Sequence, residues 1–223
     1  MGRKPLASVF WVNGAATALI TLAAVTALAN WWAVATLRRP AELITKPLVM
    51  ILLVGAAIAI DSGAAATRTW FIVALVLSLA GDVFLMLDAD RFIAGLASFL
   101  AAHVAYIVGL AIAEFNVIPA LIAAAVGATL FVAVGRSIRT GAADNNAKLA
   151  TPVTSYIAVI SAMVVAAVAT GNAVAIVGAA SFYASDAILG WNRFVTPLPH
   201  GRLLTRIPYH AGQALLAVSL ATL

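Results

Sequence analysis

Two aspartates and a histidine lie in stretches of this sequence that are otherwise fit only for lipid. Asp82 interrupts the run LVLSLAGDVFLML, Asp186 the run SFYASDAILG and His103 the run ASFLAAHVAYIV. An ionisable side chain in such a run costs several kcal/mol unless it is paired or faces a cavity, so each is a functional candidate by default. Two carboxylates and an imidazole are also the parts of general acid–base catalysis, in which one group lends a proton and another takes one up. In a shared low-dielectric pocket two carboxylates do not ionise together, so one keeps a proton to donate while the other stays an anion. The plainer alternative is that each aspartate locks helices together through a lysine or a backbone amide, and that His103 is a packed core residue. Asp88, Asp90, Glu42, Asp61, Glu114 and Asp144 fall at or beyond the ends of apolar runs and read as solvated loop charges.

The elements that must position these groups follow from composition. Of 223 residues, 64% are hydrophobic and only 9% are charged, with a mean hydropathy of +1.08. Water-soluble domains carry about 25% charged residues. The bilayer as solvent accounts for the difference, because outward positions must be apolar too. Apolar runs separated by charge, proline or glycine predict eight transmembrane helices, at about 8–28, 44–60, 69–87, 92–113, 117–135, 150–169, 172–190 and 203–222. The fold class is therefore an all-α polytopic bundle, read as one integral membrane domain over 1–223. Asn30–Ile44 and Trp191–Leu203 are expected as longer loops. Trp11, Trp31, Trp32, Trp70 and Trp191 fall near predicted helix ends, where interfacial anchors belong. MGRKP and the apolar stretch after it resemble a signal peptide, but the stretch exceeds the length of a signal h-region, so a retained first helix is expected.

The net charge of +5 does not call for nucleic acid, because the positive charges sit between apolar runs. Arg38, Arg39, Lys46, Arg91, Arg136, Arg139, Lys148, Arg193, Arg202 and Arg206 fall on one side of an eight-span arrangement, against Arg3, Lys4 and Arg68 on the other. The positive-inside rule then places both termini outside. The expected location is a cell membrane, the inner one of a bacterium given the alanine-rich composition. The chain has no cysteine, which removes disulfides and thiolate metal sites.

Depth ties the candidates together. Asp82 is about 8 Å and Asp186 about 6 Å from the predicted ends of their helices, at 1.5 Å per residue, and both ends lead to the basic side. Lys46 enters the second span from that side, and Tyr209, His210 and Gln213 enter the eighth from it. Tyr106 is the i+3 neighbour of His103, and Ser185 flanks Asp186. One pocket lined by the second, third, fourth, seventh and eighth spans, open to the basic side, is expected, with Tyr156 among its aromatic neighbours.

The segments TKPL (45–48), GDVFLML (81–87), RFIAGLASFLAAHVAYI (91–107), FYASDAILGWNRF (182–194) and YHAGQALL (209–216) together resemble the YhhN-like family of membrane proteins, whose animal members are lysoplasmalogenases. The resemblance implies an eight-helix fold and hydrolysis of the vinyl ether bond of lysoplasmalogens, to a fatty aldehyde and a glycerophospho-alcohol. The partners are then a lysophospholipid substrate and the membrane lipids.

That chemistry suits the residues. A vinyl ether is protonated at its alkene carbon, water attacks the oxocarbenium ion, and the hemiacetal collapses. The reaction needs an acid, a nearby anion and a base, by analogy with the paired carboxylates of glycoside hydrolysis. Asp82, Asp186, His103 and Tyr106 are the expected catalytic residues, and no cofactor is required. Lys46 and Arg193 are expected to hold the phosphate, with Ser185, Tyr156, Tyr209, His210 and Gln213 lining the substrate site. The rival readings are a proton-coupled or small-molecule transporter using the buried aspartates as coupling sites, and a lipid-binding membrane protein without turnover.

Overall fold

Helix boundaries in this chain are written largely by asparagine, proline and glycine. In the computed structural model, which describes residues 12–87, 91–113 and 115–223, Asn13 caps the first helix by accepting from the Ala16 amide at 2.9 Å. Asn172 accepts from Ala175 in the same way at 3.0 Å. Gly171 ends the preceding helix in the left-handed region at φ +69°, where other residues are strained. Eight long helices result: α1 (Gly14–Ala35), α2 (Arg39–Ala59), α3 (Ala65–Met86), α4 (Phe92–Ala113), α5 (Val117–Asn145), α6 (Ala150–Thr170), α7 (Ala173–Phe194) and α8 (Gly201–Ser219). α5 contains a π-helical turn at Phe131–Gly135. No strand occurs among the described residues.

Seven of these helices, α1 to α7, are long and apolar enough to cross a membrane. A 22-residue helix such as α4 is about 33 Å long, against a hydrocarbon core of about 30 Å. The chain is a multi-pass membrane protein. The eighth helix is different. Arg202, Arg206, His210 and Gln213 make α8 too polar for lipid on that face, and the polar face is turned inward, with His210 and Gln213 buried.

Side chains at the helix ends tie the up–down order together. At one end, the Asn13 side chain donates to the Ala59 carbonyl, Arg68 to Ile60, Asn116 to Ala169 and Asn172 to the Thr222 hydroxyl. At the other, Arg39 donates to the Met86 carbonyl and both Arg202 and Arg206 bond Glu42. The start of α1 and the end of α8 therefore both lie at the first end, opposite Arg39, Arg202 and Arg206. The neighbours α1–α2, α3–α4 and α7–α8 pack side by side, α4 crosses onto α6, and α5 leans mainly on α6. Glycine permits close helix contacts near both aspartates. A Cβ at Gly212 would lie 2.8 Å from the Phe182 amide nitrogen and 2.9 Å from the Gly178 carbonyl, and one at Gly81 would lie 2.7 Å from the Phe99 ring.

The long loops expected around the first and last turns are absent. α1 runs to Ala35 and α2 starts at Arg39, so Asn30, Trp31 and Trp32 are helical and only Thr36–Arg38 turns. α7 continues to Phe194, about two turns past Asp186, which places that aspartate deeper than its predicted distance. α5 likewise carries Arg136, Arg139 and Asp144 on its helical extension. Asp61 and Asp144 are exposed as expected. Asp88, Asp90, Glu114, Arg3, Lys4 and Trp11 lie outside the described residues.

The basic end of the bundle should face the cytoplasm. A reporter fused after Leu223 is expected to register as external, and cytoplasmic reporter activity there would reverse the orientation. Gly212→Ala should lower stability in detergent by about 1–3 kcal/mol, because a backbone must move to admit the methyl group. Thermal unfolding followed by tryptophan fluorescence measures this, and an unchanged midpoint would show that α7 and α8 separate freely.

Candidate active site

Asp82 sits one residue after Gly81, whose missing side chain leaves room for Phe99 of α4 to close over α3. The carboxylate so enclosed is given two partners from other helices. Lys46 of α2 pairs with Asp82 Oδ1 at 2.7 Å, and Tyr209 of α8 donates its hydroxyl to Oδ2 at 2.7 Å. Both charged side chains are nearly without solvent contact, at 6% and 2% exposure. Desolvating such a pair is expensive, and removing one partner typically costs about 3–5 kcal/mol. A chain that keeps one inside a bilayer therefore has a use for it.

Asp186 has a different environment. Tyr156 of α6 donates its hydroxyl to Oδ2, and His103 Nε2 stands 3.9 Å from the same oxygen, too far for a hydrogen bond. No lysine or arginine pairs with it among the described residues. Its side chain is 11% exposed, the more open of the two aspartates. His103 is held by edge contact with Tyr156, at 5.2 Å between rings, and tilted contact with Phe182 at 4.7 Å. Its Nε2 has no hydrogen-bond partner among the described residues, and neither does the buried Ser185 hydroxyl.

The two aspartates border one polar cavity of about 200 Å³. Its walls come from α2, α3, α4, α7 and α8, the five elements expected from the sequence. Lys46, Ser185 and Tyr209 line it too. A second, apolar cavity runs between α4, α5, α6 and α7, past Leu96, Val134, Tyr156 and Ile160. The two share Leu85, Phe99, Asp186 and Leu189 as walls, so Asp186 stands at their junction. The π-helical turn of α5 supplies Val134 and Gly135 to the apolar wall.

Other expected residues lie further off. Tyr106 donates to Gln213 Oε1 at 2.7 Å and packs edge-on against Phe71, behind the cavity rather than on its wall. His210 faces α1, accepting from Trp31 Nε1 at 3.0 Å and stacking on that indole. Arg193 lines the apolar cavity, its guanidinium 4.0 Å from the centre of the Phe92 ring. Among the described residues, no group of three His, Cys, Asp or Glu side chains could hold a metal ion.

Glu42 corrects the sequence reading outright. It is a buried carboxylate, bonded by Arg206 at 2.8 Å and by Arg202, with Arg39 at 3.6 Å. Arg39, Glu42, Arg202 and Arg206 all line the mouth of the polar cavity. By sequence alone these arginines read only as orientation charges. A signal for this group exists in the spacing: Glu42 and Lys46 are i, i+4 on α2, and Arg202, Arg206 and Tyr209 form an i, i+4, i+7 stripe on α8.

Comparison with known proteins places this geometry in context. Residues 41–220, from just before Glu42 to beyond Gln213, match the YhhN family. The chain is 30% identical over 146 residues to lysoplasmalogenase TMEM86B of Homo sapiens, covering 66% of this chain and 61% of that protein. It is 30% identical over 148 residues to lysoplasmalogenase TMEM86B of Sus scrofa, covering 66% and 62%. The matched part thus spans about three fifths of the length of these relatives. No solved structure matches the chain. With a family match that takes in every helix contributing to the polar cavity, the chain belongs to the YhhN family.

Proposed function

We propose that the protein is a membrane-embedded ether hydrolase that cleaves the vinyl ether bond of a lysoplasmalogen-type lysophospholipid, giving a fatty aldehyde and a glycerophospho-alcohol. The observation that carries this reading is the unequal environment of two aspartates on one cavity. Asp82 is paired with Lys46 and accepts from Tyr209, whereas Asp186 has a phenol for a partner and stands where the polar and apolar cavities meet. An amphiphile with its chain in the apolar cavity and its headgroup in the polar one puts its ether linkage beside Asp186. The names of the two mammalian relatives support the same substrate class.

The reaction then runs as follows. Asp186 gives its proton to the alkene carbon, whose π electrons form the new C–H bond and leave an oxocarbenium ion. The Asp82 carboxylate stabilises that cation across the cavity, in a medium where charge interactions are little screened. Water adds to the cationic carbon, and its proton returns to Asp186. The hemiacetal loses its hydroxyl proton as the carbon–oxygen bond to glycerol breaks and the glycerol oxygen is protonated. One water is consumed. Tyr156 orients Asp186, His103 packs edge-on against Tyr156, and Ser185 offers an unpartnered hydroxyl to the water or the substrate. Lys46 acts by holding Asp82 in place through their ion pair. Tyr106 and Gln213 brace α4 against α8 behind Tyr209.

Liposomes containing the protein and a lysoplasmalogen, with free aldehyde as the readout, test this directly. Asp186→Asn and Asp82→Asn should each reduce turnover by about 100-fold or more, since an amide neither donates the acid proton nor carries the charge. Asp186→Asn should remain inserted and folded; Asp82→Asn should also lose stability, because Lys46 is left buried beside an amide. Activity within a few-fold of wild type in either variant would remove that residue from the mechanism. Tyr156→Phe should lower kcat about tenfold with little change in KM, the loss of one charge-assisted hydrogen bond. An unchanged kcat would leave Tyr156 a packing residue.

A further inference from the structure

The proposed chemistry leaves the mouth of the polar cavity without a task. There, three guanidinium groups, Arg39, Arg202 and Arg206, surround one buried carboxylate, Glu42. The next charge inward, Lys46, is matched by Asp82. Among the described residues, three cations against one anion leave the mouth with an excess of two positive charges. We propose that this cluster is a phosphate-binding site that receives the headgroup phosphate of the lysolipid, with Glu42 positioning the arginines. The lipid's identity rests on the ether-hydrolase reading; the anion site does not.

Three observations support it. First, the arginines are tethered but not used up. Arg202 and Arg206 each reach Glu42 through Nη2, and Arg39 donates through Nη2 to the Met86 carbonyl. Every guanidinium has five N–H donors in a planar fork that matches a phosphate. Arg39 and Arg202 keep 44% and 50% of their side chains exposed, so those donors are open to a ligand. Glu42, at 3% exposure, is closed off and acts as the brace. Second, two helices begin here, α2 at Arg39 and α8 at Gly201, and neither has a side chain capping its first turn. The positive ends of two helix dipoles therefore lie at this mouth and favour an anion there, although Pro40 has no amide and the Arg39, Glu42, Gly201 and Leu203 amides are bonded within the chain. Third, the spacing suits a lysolipid. Glu42 and Lys46 are one turn apart, about 6 Å along α2. A three-carbon glycerol spans a comparable length between phosphate and ether oxygen, which places the bond to be cleaved near Asp82 and Asp186.

Binding tests this without turnover. The intact protein in detergent is titrated with acyl lysophosphatidylcholine, which has no vinyl ether, and with a monoacylglycerol of the same chain, following thermal stabilisation. The phosphate-bearing lipid should bind about tenfold more tightly, the worth of a charge-assisted contact. Arg202→Gln should remove most of that preference, and Arg206→Lys, which keeps the charge and loses the fork, should reduce it. Arg202 is half exposed, so its variant is expected to fold. Equal affinity for the two lipids in the wild type, or a preference untouched in both variants, overturns the site. Inorganic phosphate that stabilises the protein as strongly as the lysolipid at equal concentration would overturn the headgroup assignment and make this a free-phosphate site. A phosphate preference in a protein that releases no aldehyde would keep the site and refute the hydrolase.

Discussion

A lysine and an aspartate paired at 2.7 Å where water scarcely reaches are the constraint around which the bundle is arranged. Neither charge is tolerable alone in that position, so α2 and α3 must meet in one register, and Tyr209 brings α8 into the same register. Proline lies next to both partners, Pro47 after Lys46 and Pro208 before Tyr209. Each proline interrupts the helical hydrogen-bond ladder beside the cavity. In a bilayer such interruptions are tolerated where the freed groups are buried in protein or line a cavity.

The same arrangement separates two carboxylates chemically without separating them in space. Asp82 is saturated with partners and rigid; Asp186 has one phenol, a nearby imidazole and more access. In the proposed mechanism two identical groups on one cavity serve as anion and proton carrier because their neighbours differ, the condition for paired-carboxylate catalysis. The apolar cavity behind Asp186 and the arginine-lined mouth in front of Asp82 give the site a direction, from apolar to charged, which in the proposed function runs from lipid chain to headgroup.

The large side chains on the outer faces, such as Ile118, Leu121 and Ile122 of α5, are apolar and exposed, as a lipid solvent demands. Helices approach through small residues, with Gly178 and Gly212 between α7 and α8 and Gly81 and Gly95 between α3 and α4. The α3–α4 and α7–α8 contacts flank the two aspartates. Close backbone packing and the acid pair are thus parts of one construction.

The helical bundle, the approximate spans and the convergence of Asp82, Asp186, Lys46 and Tyr209 on one cavity were legible from sequence, because a charge inside an apolar run admits few explanations and helix depth follows from residue count. What sequence could not decide was which charges near the helix ends are solvated. Glu42 follows two arginines and a proline and looks like loop; only the continuation of α1 and α2 almost to their shared turn, and the packing of α8 across them, buries it among Arg39, Arg202 and Arg206. The same holds for Tyr156, ordinary by pattern and placed on Asp186 by the docking of α6 on α7, and for His210, a plausible cavity residue that helix rotation turns towards Trp31. Hydropathy records how far along a helix a residue lies, while the angle at which the helix faces its neighbours is set by packing, and that angle decides each partner.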